Sequence, residues 1–114
     1  MLQRTKYLQK LQKLCNESKV VTLLGARQVG KTTLMKQFQK TCSLPSVYIN
    51  CENFFETPFS SLNAMIQWMQ NEYGLNLHQP GFLFLDEIQA RHDPDRIIKS
   101  YYDDEDIKTT LIVT

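Results

Sequence analysis

Long hydrophobic runs are missing from this chain. The longest, Val20–Val21 with Leu23–Leu24 and Phe82–Leu85, fall far short of the roughly 20 apolar residues that cross a bilayer, so no membrane partner is expected. The opening Met1-Leu2-Gln3-Arg4-Thr5-Lys6 lacks the apolar stretch of a secretory signal, and a cytoplasmic location is the resulting expectation. Cysteine is scarce. Cys15, Cys42 and Cys51 form no Cys-x-x-Cys pair, and His78 and His92 are too distant in sequence to be one-turn helical partners. Both facts argue against a zinc site or a disulfide framework and for reduced thiols in or near a core. No internal repeat or low-complexity tract is visible. What remains is 114 residues, 42% hydrophobic and 22% charged, the ordinary balance of one small globular domain with a modest core.

Two periodicities alternate along the chain. Residues 6–16 set Tyr7, Leu8, Leu11, Leu14 and Cys15 at helical spacing, which predicts an amphipathic helix over residues 1–18, ahead of the core. Val20–Leu24 predicts a buried strand that breaks at Gly25, and Lys31–Thr41 a helix. Ser46–Asn50 reads as a second strand after Pro45. Pro58 precedes a helix with Phe59, Leu62, Met65, Ile66, Met69 and Tyr73 on one face and Gly74 as its stop, while Trp68 lies off that stripe. Phe82–Leu85 is the third strand. Asp93 as N-cap and Pro94 at the first helical position start a helix carrying Ile97, Ile98, Tyr101 and Tyr102. The acidic run Asp103–Asp106 reads as a solvated connection, and Ile107–Thr114 as a fourth strand. Apolar strands alternating with helices imply an α/β fold in three layers, a parallel sheet covered on both faces. The sequence reaches Thr114 with no polar tail, which gives the expectation of one domain over 1–114 that continues past the fourth strand.

Gly25-Ala26-Arg27-Gln28-Val29-Gly30-Lys31-Thr32 fits G-x-x-x-x-G-K-[ST] at every fixed position, with a predicted strand before it and a helix after it. Glycines at both ends let the backbone curl into a cup whose N–H groups face phosphate oxygens. The helix N-terminus behind it adds unpaired N–H groups and the positive dipole end. In such a loop Lys31 reaches the β- and γ-phosphates as a point charge, Thr32 offers its hydroxyl to Mg²⁺, and Thr33 can bond an α-phosphate oxygen.

A phosphate cradle needs a carboxylate partner. Phe82-Leu83-Phe84-Leu85-Asp86-Glu87 supplies an apolar strand ending in two acids, and buried parallel strands deliver their C-terminal residues to the rim where ligands bind. Asp86 is therefore expected to hold the Mg²⁺ shell through water. Glu87 is expected to orient and deprotonate an attacking water.

With these stretches in view, the sequence resembles the AAA+-type ATPases of the P-loop (RecA/AAA-like) class, and more narrowly the bacterial and archaeal AAA-like ATPases that carry a C-terminal nuclease-like domain of unknown function. The matching residues are Gly25–Leu34, Phe84–Gln89, Ile98–Asp103, the Arg4-x-x-Tyr7 start and Thr110–Thr114. The resemblance implies ATP as the nucleotide and a sheet ordered 5-1-4-3-2, with the Thr109–Thr114 strand between the two motif strands. It also implies a polar sensor residue just after Thr114, and a fifth strand, an arginine finger and a C-terminal effector domain beyond it. Arg91 and Arg96 lie near the second motif, with nothing in the sequence to set them apart from surface arginines; Gln89 could reach the γ-phosphate region.

Acidic residues are nearly absent from the first third of the chain. Residues 1–40 carry nine Lys or Arg and one acid, Glu17, whereas residues 41–114 carry four and eleven. Such a basic half suits a polyanion; a bound triphosphate and mutual neutralisation of the halves account for it most simply. Lys6, Lys10 and Lys13 make a basic stripe that reads as a solvated helix face, leaving nucleic acid without support as a partner. The leading expectation is an ATPase, with Lys31 and Glu87 catalytic, whose hydrolysis drives a conformational change in an attached domain or a partner, a second copy of the chain included. The alternatives are a switch that holds ATP or ADP with little turnover, and a small-molecule kinase, for which no acceptor-binding constellation is present. A GTPase would show Asn-Lys-x-Asp, and that tetrad does not occur.

Overall fold

The computed structural model describes residues 2–23, 28–53, 61–88 and 94–114. Helix α1 runs Leu2–Glu17, strand β1 Val20–Thr22, helix α2 Gln28–Thr41, strand β2 Ser46–Asn50, helix α3 Leu62–Tyr73, strand β3 Gly81–Asp86, helix α4 Pro94–Asp103 and strand β4 Thr109–Val113. A 3₁₀ turn over Cys51–Asn53 follows β2. The strands form one four-stranded sheet in the order β1-β4-β3-β2, every pair parallel. This is an α/β fold of the P-loop NTPase kind, and β4 lies between the two motif strands as expected.

Alternation along each strand sorts the core into two layers. Ile49, Leu83, Leu85, Leu111 and Val113 face one side, with Met65 and Met69 of α3 and Ile97 and Tyr101 of α4. Val21, Phe84 and Ile112 face the other, with Leu11 and Cys15 of α1 and Met35 and Phe38 of α2. The second layer is partly aromatic. Phe38 meets Phe82 edge-on at 5.2 Å between ring centroids and Phe84 at 6.0 Å. Trp68 packs against the first layer and meets Tyr73 edge-on at 5.4 Å.

Element ends follow local chemistry. Ser61 caps α3 by accepting the Ala64 N–H at 3.1 Å on its side-chain oxygen. Gly74 closes the helix in the left-handed conformation, φ 66°, with its own N–H on the Gln70 carbonyl and that of Leu75 on Met69. Lys19 donates to the Asp104 carbonyl and the His78 ring lies 3.2 Å from the Asp106 carbonyl, so the acidic run is a surface connection tied down through its backbone.

Several boundaries differ from those expected. Helix α2 starts three residues before Lys31, because the second half of the glycine-rich motif is already helical. Strand β1 ends at Thr22, although Leu23 still donates its N–H to the Val113 carbonyl at 2.8 Å. Strand β4 begins at Thr109, with Ile107 buried just ahead of it. Leu14 and Tyr73, expected on apolar faces, are each 40% exposed: their helices bury a narrower stripe than the spacing implies. Leu24, Phe59 and Asp93 lie outside the described residues. None of the three cysteines forms a disulfide; Cys15 and Cys51 are buried, and burial pushes the Cys15 thiol up to about 12. No helix among the described residues is long and apolar enough to cross a membrane.

Candidate functional site

The site is built on the C-terminal rim of the sheet, on the face shared with α1 and α2. Residues 82, 84 and 86 of β3 point to that face by alternation. Asp86 ends the strand there, 2% exposed. A lone carboxylate at that burial would be driven toward its neutral form. Here it is surrounded by hydroxyl donors. Thr32, in the first turns of α2, donates to Asp86 Oδ2 at 2.7 Å. Tyr48 of β2 donates to the same oxygen. Thr114, just past β4, donates to Oδ1 at 2.5 Å.

These bonds decide the charge of the site. Burial raises the Asp86 pKa, but the hydrogen bonds from Thr114, Tyr48 and Thr32 and the Glu87 backbone outweigh it, and the group is held below its ordinary 3.8. At neutral pH Asp86 is a carboxylate. The Tyr48 phenol moves the other way: burial first, then the hydrogen bond to Asp86 and its negative charge, keep it protonated well above its usual range. Each hydroxyl is therefore a donor and Asp86 the common acceptor.

Glu87 follows in the left-handed region, φ 58°, a conformation that costs a non-glycine residue roughly 1 kcal/mol. Thr114 holds this kink. Its hydroxyl accepts the Glu87 N–H at 3.1 Å while donating to Asp86, and its carbonyl accepts the Ile88 N–H at 3.2 Å. The two acids thus leave the strand in different directions, with Asp86 turned inward and Glu87 half-buried.

Of the nucleotide-site residues expected from sequence, Gly25, Ala26 and Arg27 lie outside the described residues. Gln28, Val29, Gly30 and Lys31 form the first turn of α2, where backbone N–H groups have no intrahelical acceptor. Thr32 and Thr33 continue that helix, and Thr32 meets Asp86 across the motif gap. Gln89 and Arg91 lie outside the described residues, and Arg96 is exposed on α4.

The donor set fits a hard divalent cation held largely by phosphate and water. Mg²⁺ typically takes one or two protein ligands alongside phosphate oxygens, and a threonine whose proton is committed to a carboxylate keeps its lone pairs for a cation. No group of three or more His, Cys, Asp or Glu able to cage a metal occurs among the described residues.

Sequence reasoning missed two members of this constellation. Tyr48 was read only as part of a strand and Thr114 only as the end of one, whereas Thr114 contacts both acids. The one signal available was the polar Thr114 at the rim end of the strand beside β3; nothing comparable marked Tyr48, which lies two residues before the end of β2.

A family model described as an AAA domain matches residues 17–114. No curated protein and no solved structure matches the chain significantly.

Proposed function

The chain belongs to the AAA domain family, and on that premise we propose that it binds ATP with Mg²⁺ and hydrolyses it to ADP and phosphate. Nucleotide binding and ATPase activity are what the family suggests; the observation that supports assigning them to particular residues is the 2.7 Å hydrogen bond from Thr32 to Asp86. It joins the glycine-rich motif to the acidic strand end, the two halves that phosphoryl transfer requires at one point.

In this reading residues 25–33 wrap the phosphates. The backbone N–H groups of 25–30 and the start of α2 bond their oxygens, Lys31 neutralises charge on the β- and γ-phosphates, and Thr33 bonds the α-phosphate. Thr32 and Asp86 would hold the metal, Thr32 through its hydroxyl and Asp86 through Thr32 and water. Bound Mg²⁺ supplies charge neutralisation on the phosphate oxygens. Glu87 orients a water and takes its proton as the water oxygen bonds to the γ-phosphorus and the bond to the β–γ bridging oxygen breaks, releasing ADP. Coupling of this cycle to a conformational change in an attached domain or partner is the further expectation of this proposal.

The test is calorimetric titration of the chain with ATP and with GTP, each with Mg²⁺. Saturable binding that favours ATP supports the reading. Equal affinity for GTP would remove adenine selectivity, and no binding to either nucleotide would reject the assignment for these residues.

A further inference from the structure

Two hydroxyls at the site belong to neither motif, those of Thr114 and Tyr48, and only that of Tyr48 shares an oxygen with Thr32. Tyr48 stands on β2 opposite Phe84 in the ladder, two pairs behind the Asn50–Asp86 pair. Its side chain faces the α2 side, where its ring packs on the aromatic layer, and its phenol reaches forward along the strand to Asp86 Oδ2. That oxygen is the one Thr32 uses. The tyrosine is itself held from above: the Lys36 ammonium of α2 lies 5.0 Å from the ring centroid, a cation–π contact. Lys36 is one helical turn beyond Thr32, so the two place α2 over β2 and β3 at adjacent points.

These contacts close a circuit. Thr32 and Lys36 belong to one helix, Tyr48 and Asp86 to adjacent strands, and each is linked to the next. Packing alone would need the ring and not the hydroxyl. The hydroxyl instead sits on the buried carboxylate, where it fixes the direction in which Oδ2 faces Thr32. With the phenol removed, Oδ2 would keep only Thr32 and Oδ1 only Thr114 as hydroxyl partners, and the carboxylate would be held less firmly about its terminal torsion, which is broad for aspartate.

We propose that Tyr48 is a positioning residue for metal-dependent nucleotide binding: its phenol pins Asp86 in the orientation that draws the Thr32 proton and leaves the Thr32 oxygen lone pairs to the cation. This rests on the proposed Mg²⁺-ATP site and deepens it. Tyr48 touches neither nucleotide nor metal in this arrangement and acts through Asp86 and Thr32.

The test uses the full chain and its Tyr48→Phe variant, which keeps the ring, its packing and the Lys36 contact. ATP affinity is measured by calorimetry in excess EDTA and again in saturating Mg²⁺, with circular dichroism to compare folding. In wild type, Mg²⁺ should strengthen ATP binding; if it does not, the site reading itself fails. Given that gain, Tyr48→Phe should bind ATP in EDTA within about twofold of wild type and lose about tenfold of the affinity in Mg²⁺, the low end for a hydrogen bond to a charged group. In an Asp86→Asn background the same substitution should change nothing further. An equal loss with and without Mg²⁺ would make Tyr48 a packing residue only, and an unchanged Mg²⁺ gain would overturn the positioning role while leaving the site intact.

Discussion

Thr32 and Asp86, 54 residues apart in sequence, are joined by a 2.7 Å hydrogen bond at the rim of the sheet. The helix that carries the glycine-rich motif is thereby fastened to the strand that carries the acids, and several consequences can be measured.

Lys31 is the cation of the phosphate loop in the proposed site, placed by the first turn of α2. Lys31→Ala is expected to weaken ATP binding by about 10- to 100-fold, the range for losing a charge-assisted contact. Titration calorimetry reads this directly, and unchanged affinity would end the phosphate-loop assignment.

Glu87 is expected to act on water and not on binding. Glu87→Gln should hold Mg²⁺-ATP with near wild-type affinity and lower turnover by roughly 10²–10⁴, the usual contribution of a general base. Phosphate release under single-turnover conditions separates the two. Full activity in this variant would assign the proton to another group.

Acid should loosen the fold through Asp86. Burial alone would raise this carboxyl, but its hydroxyl and backbone donors leave it below 3.8 in the folded chain. A depressed folded value means that the stabilisation is complete above the unfolded pKa and disappears as pH falls through the folded one. Chemical denaturation from pH 7 down to pH 2 should therefore show a loss of stability beginning near pH 4. Asp86→Asn should flatten that limb; an identical acid limb in the variant would place the sensitivity elsewhere.

The close of α3 offers a test of the fold away from the site. A Cβ at Gly74 would meet nothing within 4 Å, so the whole penalty of Gly74→Ala is its φ of 66°. A loss of about 1 kcal/mol is expected, with Gly74→Asn costing less, because asparagine tolerates this region better. Thermal or denaturant melts distinguish the pair.

How legible this was in the sequence depended on distance along the chain. The glycine-rich motif and Asp86-Glu87 could be read because each is a local run whose spacing carries its chemistry. Tyr48 and Thr114 could not be found that way. Their roles depend on which strands lie beside β3 and in what register, and a tyrosine inside Ser-Val-Tyr-Ile-Asn looks the same whether its hydroxyl meets water or a carboxylate. Leu14 and Tyr73 misled for the opposite reason: periodicity gives the centre of a buried stripe and not its width.

The order β1-β4-β3-β2 also has a consequence for how the chain folds. Among the described residues strand β1 bonds only β4, Val20 against Leu111 through Thr22 against Val113, so within these four strands an early one waits for the last before it has a partner. Every pairing in the sheet is parallel and distant in sequence, which favours slow folding because loop closure precedes the contacts that reward it. On a ribosome β2 and β3 can join first, leaving one edge of β3 open until β4 emerges. That interval is when this protein is most exposed to pairing with a second chain, and the residue that completes the carboxylate cage, Thr114, arrives only when it ends.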